Sequence, residues 1–421
     1  MSGNASMSPG AQRILTTHVG RLPPPQRVVD LLIAQDRGTH YDQEQFDETM
    51  RHAVDQAVKL QAEAGIDVPS DGEMSKFSYG VYFRQRLQGL ERNPPPPIPR
   101  DVESFMEYQA WWIARALGRA RQASRESLPR FPQRLPAPRP QQPGEKGPVA
   151  VKDLTSLACD IAHLKAALAE ANMSEGFLNS VSPGAIAVFQ KNEHYPSQEA
   201  FLAAIADAMR LEYEMIVNSG LLLQVDCPDL GLGRHARFKN DSEEEFLRHA
   251  ELYVEALNHA LANVPPGRVR LHVCWGYYEG PHVHDIACAR ILPIVLKARA
   301  MALSVEGANP RHEHEWEVWT KIKLPDDKIL IPGVIAPSIN QVERPELVAQ
   351  RLMRYAAVVG RERVMAGTDC GFGTFAGFRI IHPSVCWMKL RSLTEGARLA
   401  SEQLWGAPRK SISLPQEQAG R

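Results

Sequence analysis

His272 and Cys274 stand two residues apart in the run Leu271-His-Val-Cys-Trp-Gly276. In an extended strand, side chains at i and i+2 point to the same face, so an imidazole and a thiol would reach toward one point. Glu306 follows the apolar run Ala302–Val305, and Cys370 follows Val364–Thr368. One imidazole, two thiolates and one carboxylate make a donor set suited to zinc, which binds nitrogen and sulfur at about 2.0–2.3 Å. A lone His-x-Cys is more often a buried cysteine beside a packed histidine. Four such groups at three strand ends shift the balance to a metal site built from His272, Cys274, Glu306 and Cys370.

Other polar groups occupy the same kind of position. His18 and Arg21 close the first apolar run, Glu73 follows the second, and Asp226 ends the fourth. A strand does not need charged groups for packing, so these four are candidates for holding a substrate. His282 and His284 lie in Pro281-His-Val-His-Asp285, and His312 and His314 in Arg311-His-Glu-His-Glu-Trp316. Either pair could bind metal, but such loops more often use histidine for hydrogen bonding or proton transfer. His312 or His282 is therefore the candidate acid for a leaving group. Cys159, Cys227 and Cys288 are read as packing residues.

The elements that must position these groups repeat along the chain. Eight short apolar runs end in polar residues: Ile14–Val19, Ile66–Ser70, Phe177–Val181, Leu221–Val225, Val269–Cys274, Ala302–Val305, Ile329–Ile335 and Val364–Thr368. Helix-period segments separate them. Asp42 is a plausible N-cap for a helix ending near Gly65, and Ser242 with Glu245 makes a capping box. Pro345 suits a first helical position and Gly360 the position past the end. Leu154, Leu157, Ile161, Leu164 and Leu168 mark one apolar helix face. Eight strands alternating with helices predict an α/β fold, a single (β/α)8 TIM-type barrel over residues 11–413, with its chemistry at the C-terminal strand ends.

The 421 residues are 44% hydrophobic and 23% charged, with a formal net charge of −1. That balance gives no general attraction to nucleic acid or to an anionic membrane surface. No apolar run reaches membrane-spanning length, and the opening residues lack the apolar stretch of a secretory signal. A cytoplasmic location is expected, and six cysteines in a reducing compartment read as metal ligands or thiols rather than a disulfide framework. Residues 93–148 hold twelve of the 32 prolines. Proline fixes φ and removes a donor, so this stretch is read as a proline- and arginine-rich insertion from a barrel loop, with one helical piece from Val102 to Arg121. A linker between two domains is the alternative.

The motifs together resemble the C-terminal catalytic barrel of cobalamin-independent methionine synthase, and more closely the short single-barrel members of that superfamily. The segments that carry the likeness are Leu15-Thr-Thr-His-Val-Gly20, Ser70-Asp-Gly-Glu73, Gln224-Val-Asp-Cys-Pro-Asp229, Leu271-His-Val-Cys-Trp-Gly276, Glu279-Gly-Pro-His282, Ala308-Asn-Pro-Arg-His-Glu-His-Glu-Trp316 and Ala366-Gly-Thr-Asp-Cys-Gly-Phe-Gly373. The resemblance implies zinc on His272, Cys274, Glu306 and Cys370. It also implies that Glu73 and Asp226 hold the polar part of an amino-acid thiol such as homocysteine, whose zinc-bound sulfur attacks the N5-methyl of a folate. A related branch, the epoxyalkane:coenzyme M transferases, uses the same zinc thiolate to open an epoxide.

Several positions depart from the family pattern. Arg21 stands where serine is usual, Tyr277 where asparagine is usual, and Ala336 where aspartate is usual. The seventh strand carries no histidine to donate a proton, and no counterpart of the N-terminal half of full-length methionine synthase accompanies the barrel. The expected function is a zinc-dependent S-alkyl or S-methyl transferase that takes a small-molecule thiol and a methyl or alkyl donor, with oligomerisation an open possibility. An epoxide:thiol (coenzyme M-type) transferase is the alternative. A non-catalytic zinc or thiol carrier is a third reading, against which the second polar cluster speaks.

Overall fold

The computed structural model describes residues 12–90, 99–105, 107, 108, 110, 147–278, 280–377 and 380–406. Six strands form one continuous parallel sheet in chain order: β3 (Phe177–Val181), β4 (Leu222–Cys227), β5 (Val269–Val273), β6 (Ala302–Val305), β7 (Ile329–Ile335) and β8 (Gly367–Thr368). All six strands are buried at every residue, which is how a sheet covered on both faces reads.

The first two predicted strands take a different form. They pair only through isolated parallel bridges, Thr16 with Ala366, Thr17 with Val68, and Ser70 with Phe177. Local chemistry explains the missing ladder. The Asp67 carboxylate accepts the Thr16 amide at 2.9 Å and its hydroxyl at 3.0 Å, and Pro69 has no donor to offer. The bridges nevertheless link β8 through both N-terminal segments back to β3.

The curl is also visible inside the sheet. Val68, Phe177, Leu222, Ala302, Ile329, Ile331 and Met365 form an apolar cluster separate from the main core. They come from six of the eight runs, so the inner faces of distant strands meet. Above them the buried Arg270 lies over the Phe177 ring, 3.9 Å from its centroid, and donates to Thr17 Oγ1 and the His18 carbonyl, both at 2.9 Å.

Helices cover the outer face. In chain order they are α1 (Gln26–Arg37), α2 (Gln43–Glu63), α3 (Tyr79–Arg86), α4 (Arg100–Ser104), α5 (Thr155–Glu170), α6 (Pro183–Phe189), α7 (Gln198–Asn218), α8 (Gly233–Ala236), α9 (Glu243–Ala260), α10 (Cys288–Val295), α11 (Pro345–Val359) and α12 (Pro383–Trp405). The capping expectations hold. Asp42 accepts the Gln45 amide at 2.9 Å, Ser242 and Glu245 form the reciprocal box, and Gly360 ends α11 with φ of 95°. No helix among the described residues is long and apolar enough to cross a membrane.

Two short strands, β1 (Leu87–Gln88) and β2 (Ala150–Val151), pair antiparallel. They hold the two ends of the proline-rich stretch side by side. Most of residues 93–148, including the greater part of the helix expected from Val102 to Arg121, lies outside the described residues. Of that stretch, α4 is anchored to the body, where Lys239 Nζ donates to Glu103 Oε2 at 2.6 Å.

Candidate active site

His272 and Cys274 leave the end of β5 on one face, as the strand period requires. The loop after β8 brings Cys370 to them from the other edge of the sheet. The ligating atoms of His272, Cys274 and Cys370 all lie within 4.8 Å of one another, with the two sulfurs 3.7 Å apart. His272 Nδ1 meets the Ser304 hydroxyl at 3.2 Å, and its buried Nε2 has no hydrogen-bond partner. An oriented imidazole with one free nitrogen beside two thiols fits a zinc-class ion. Burial, with Arg270 nearby, lowers the His272 pKa and keeps the ring neutral, as a ligand must be. The Cys274 contact and burial raise the Cys370 thiol well above its usual range, so two thiolates together here require a cation.

Glu306, the fourth expected ligand, is beside this group but not part of it. Its Oε1 accepts the Trp275 amide at 2.9 Å and its Oε2 accepts Asn309 Nδ2 at 2.8 Å. Burial raises its pKa well above the carboxylate range, against the opposing His312, and Cys274 and Asp369 add to the rise. Asp369 sets the loop that carries Glu306. Asp369 Oδ1 accepts the Gly307 and Ala308 amides and Oδ2 the Asn309 amide, each at 2.8 Å. A side chain at Gly333 would come within 2.1 Å of that carboxylate, which is why only glycine fits there.

A second polar cluster sits across the mouth. Asp226 is the register partner of His272 on the neighbouring strand. Asp226 accepts Asn179 Nδ2 and Gln224 Nε2, both at 2.9 Å. Tyr79 donates its hydroxyl proton to one of two carboxylates, Asp226 Oδ2 in very close contact or Glu73 Oε1 at 3.0 Å. Arg21 is buried and points into the same cluster. Its Nη2 donates to the Lys76 carbonyl at 2.5 Å and lies 3.4 Å from Glu73 Oε2. Arg21 Nε and Nη1 are buried without any acceptor. Gly371, next to Cys370, packs directly on the Arg21 backbone, so the segment that carries Arg21 borders the loop that carries Cys370.

His18 is not brought into either group. It is fully buried, meets Gln61 Oε1 at 2.6 Å and packs edge-on against Phe177. Burial lowers its pKa to about 4. Its place is in the sheet wall, where its backbone carbonyl receives Arg270.

His282 and His312 converge on one carboxylate. Asp285 Oδ2 lies 2.9 Å from His282 Nδ1 and 3.0 Å from His312 Nε2. His312 Nδ1 is 2.7 Å from Glu315 Oε2, and its ring packs on Trp275, whose amide holds Glu306. Burial opposes the charged form, but Asp285 and Glu315, with Glu306 near, outweigh it and push the His312 pKa up to about 10. The Tyr277 hydroxyl donates to the carbonyl of Pro337, the chain neighbour of Ala336, at 3.2 Å.

Sequence reasoning missed Tyr79, Asn179, Asn309, Asp285 and Asp369 as parts of the site. Asp369 and Asn309 lay within motifs already singled out, in Thr368-Asp-Cys370 and Ala308-Asn-Pro310. Tyr79 had no such signal, because it reaches the cluster from the first turn of α3. All six cysteines are free, and Cys227, Cys288 and Cys386 are buried.

No family model matches the chain. It is similar to the methionine synthase of Sulfolobus acidocaldarius, with 23% identity over 392 residues, 92% of this chain and 93% of that protein. The methionine synthase of Saccharolobus solfataricus is 22% identical over 399 residues, 92% of this chain and 95% of that one. Among solved structures, a B12-independent methionine synthase from Shewanella in complex with selenomethionine superposes with a TM-score of 0.66 at 17% identity, covering 94% of this chain and all of that one. The putative vitamin-B12 independent methionine synthase of Listeria monocytogenes gives 0.59 at 16% identity, over 94% of this chain. The structural likenesses concern the fold.

Proposed function

Since the chain belongs to the superfamily of the cobalamin-independent methionine synthase C-terminal barrel, we propose that it is a zinc-dependent transferase that moves a methyl or other alkyl group onto a small-molecule thiol. The observation that carries this reading is the convergence of His272, Cys274 and Cys370, with His272 Nε2 left free. The barrel is proposed to be a closed eightfold one over residues 11–413, with the N-terminal runs as single-bridge strands and residues 93–148 as an insertion from its wall.

His272, Cys274 and Cys370 would hold the zinc, and Glu306, tethered by Trp275 and Asn309, would be the exchangeable fourth group. Zinc supplies a bound substrate sulfur that is deprotonated at neutral pH and stays nucleophilic. The residues around it bind and orient. Three protein ligands leave room for substrate, as in catalytic rather than structural zinc sites. In the transfer, the substrate's S–H proton would pass to solvent, a sulfur–carbon bond would form, and the bond between carbon and the leaving group would break with its electron pair going to the leaving group. His312, which Asp285 and Glu315 hold in its protonated form, would be the acid for the departing group, with His282 on the same carboxylate.

Arg21 favours a second reading of the substrate pair. Glu73 is already engaged by Arg21 and Tyr79, which leaves little for an amino-acid ammonium. The two unpaired Arg21 nitrogens instead suit a thiol that carries a carboxylate or sulfonate. That fits an epoxide-opening, coenzyme M-type transferase as well as a methyl transferase. Turnover of a thiol panel, homocysteine against mercaptoalkyl sulfonates and carboxylates, with methyl and epoxide donors in separate arms tests both. Absence of S-alkylated product in every arm, with zinc bound, would refute the transferase reading.

A further inference from the structure

A second cluster of ligating atoms lies away from the thiols, beneath Tyr278. Asp101, His235 and Asp285 place one ligand atom each within 4.8 Å of one another. All three side chains are about 1% exposed or less. The two carboxylates are divided in the same way. Asp285 Oδ2 meets His282 and His312, while its Oδ1 has no hydrogen bond. Asp101 Oδ2 accepts the Tyr278 hydroxyl at 3.1 Å, while its Oδ1 has none. Both free oxygens belong to the group around His235, whose two ring nitrogens also lack hydrogen bonds. His235 Nε2 lies 3.0 Å from Asp285 Oδ1 without hydrogen-bond alignment.

Burying carboxylate oxygens and an imidazole with ion-pair contacts but no aligned hydrogen bond is costly. An ion shared by all three removes that cost at once. Ligands at about 2.0–2.2 Å from one ion stand roughly 3–4 Å apart, and the His235 to Asp285 distance of 3.0 Å is of that size. His284 Nε2, 4.0 Å from Asp101 Oδ1, is in reach as a fourth ligand. The position also has a structural use. α4 is only five residues long, too short to hold itself, yet it carries a fully buried aspartate.

We propose that Asp101, His235 and Asp285 form a second divalent-metal site, for an ion of the zinc and manganese class, which pins the start of the residue 93–148 stretch to α8 and to the loop carrying His282. One imidazole and two carboxylates suit such borderline ions. The site shares none of the thiol-bound zinc's ligands, but it shares Asp285 with His282 and His312.

The test is metal content of the full-length chain, purified with zinc or manganese and freed of loose metal. A Cys274→Ser, Cys370→Ser double variant is expected to retain one ion per chain, and adding His235→Gln to remove it. In the otherwise native chain, His235→Gln or Asp101→Asn lowers the content by one ion and leaves one behind. A folded double variant holding no metal would overturn the proposal. So would identical metal content in the native chain and in His235→Gln, a comparison that stands even if the double variant fails to fold. Loss of metal only with the cysteines refutes this site and leaves the thiol site standing.

Discussion

Arg21 Nη2 lies 3.4 Å from Glu73 Oε2, with both side chains buried. The pair fills a place where the superfamily likeness implies a carboxylate waiting for an ammonium. Two nitrogens of the same guanidinium face no acceptor, so the arginine has donors to spare. Arg21→Ser is expected to lower kcat/KM for an anionic thiol about ten- to hundredfold, the worth of a charge-assisted hydrogen bond at roughly 1.5–3 kcal/mol. Homocysteine should lose less, or gain, because Glu73 is released. Equal effects on both thiols would show that Arg21 does not choose between them.

Cys274 and Cys370, at 3.7 Å between sulfurs, should both bind the same ion. Cobalt-substituted protein should then show near-ultraviolet thiolate-to-metal absorption. Cys274→Ser and Cys370→Ser should each reduce it and lose most of the ion. Full-intensity absorption in either variant would remove that cysteine from the site.

Asp369, the neighbour of Cys370 in the chain, collects three amides and a side-chain amide from the loop after β6. Asp369→Asn places a donor where donors converge, which loosens Glu306. Supporting residues of this kind are worth about 10–100-fold in metal affinity. Competition with a chromogenic chelator measures the change, and an unaltered affinity would assign Asp369 to folding alone.

His312 gives a pH dependence with a definite sign. Its folded-state pKa is raised from an ordinary value near 6.5 to about 10, by Asp285 and Glu315 acting against burial. The stability gained is full below the unfolded value and is lost as pH rises through the folded one. The melting temperature of the native chain should therefore exceed that of His312→Gln most near pH 6 and least above pH 10. A gap that widens on the alkaline side would mean that His312 is neutral in the folded protein.

Much of the site was legible because strand chemistry is local. His-x-Cys on an apolar run fixes two side chains on one face whatever surrounds them, and an Asp or Ser before a helical period fixes a cap. The six strands from Phe177 onward followed from the same logic. The runs at Ile14 and Ile66 did not form ladders, because Asp67 draws the Thr16 amide to a side chain and Pro69 withholds a donor. No apolar pattern reports such competition.

The amino-acid sequence by itself determined the order of strands and helices and the donor types at the strand ends, since both depend on neighbours two to four residues away. Only the tertiary structure decided which of those groups meet. His18, three residues before Arg21, faces Gln61 and the wall, while Tyr79 from α3 joins Glu73 and Asp226. Asp101, His235 and Asp285 come together from three segments, each at least about fifty residues from the next in chain order. The curl of the sheet and the docking of α3, α4 and α8 set these contacts. They depend on the packing of the whole chain, which no short window of residues records.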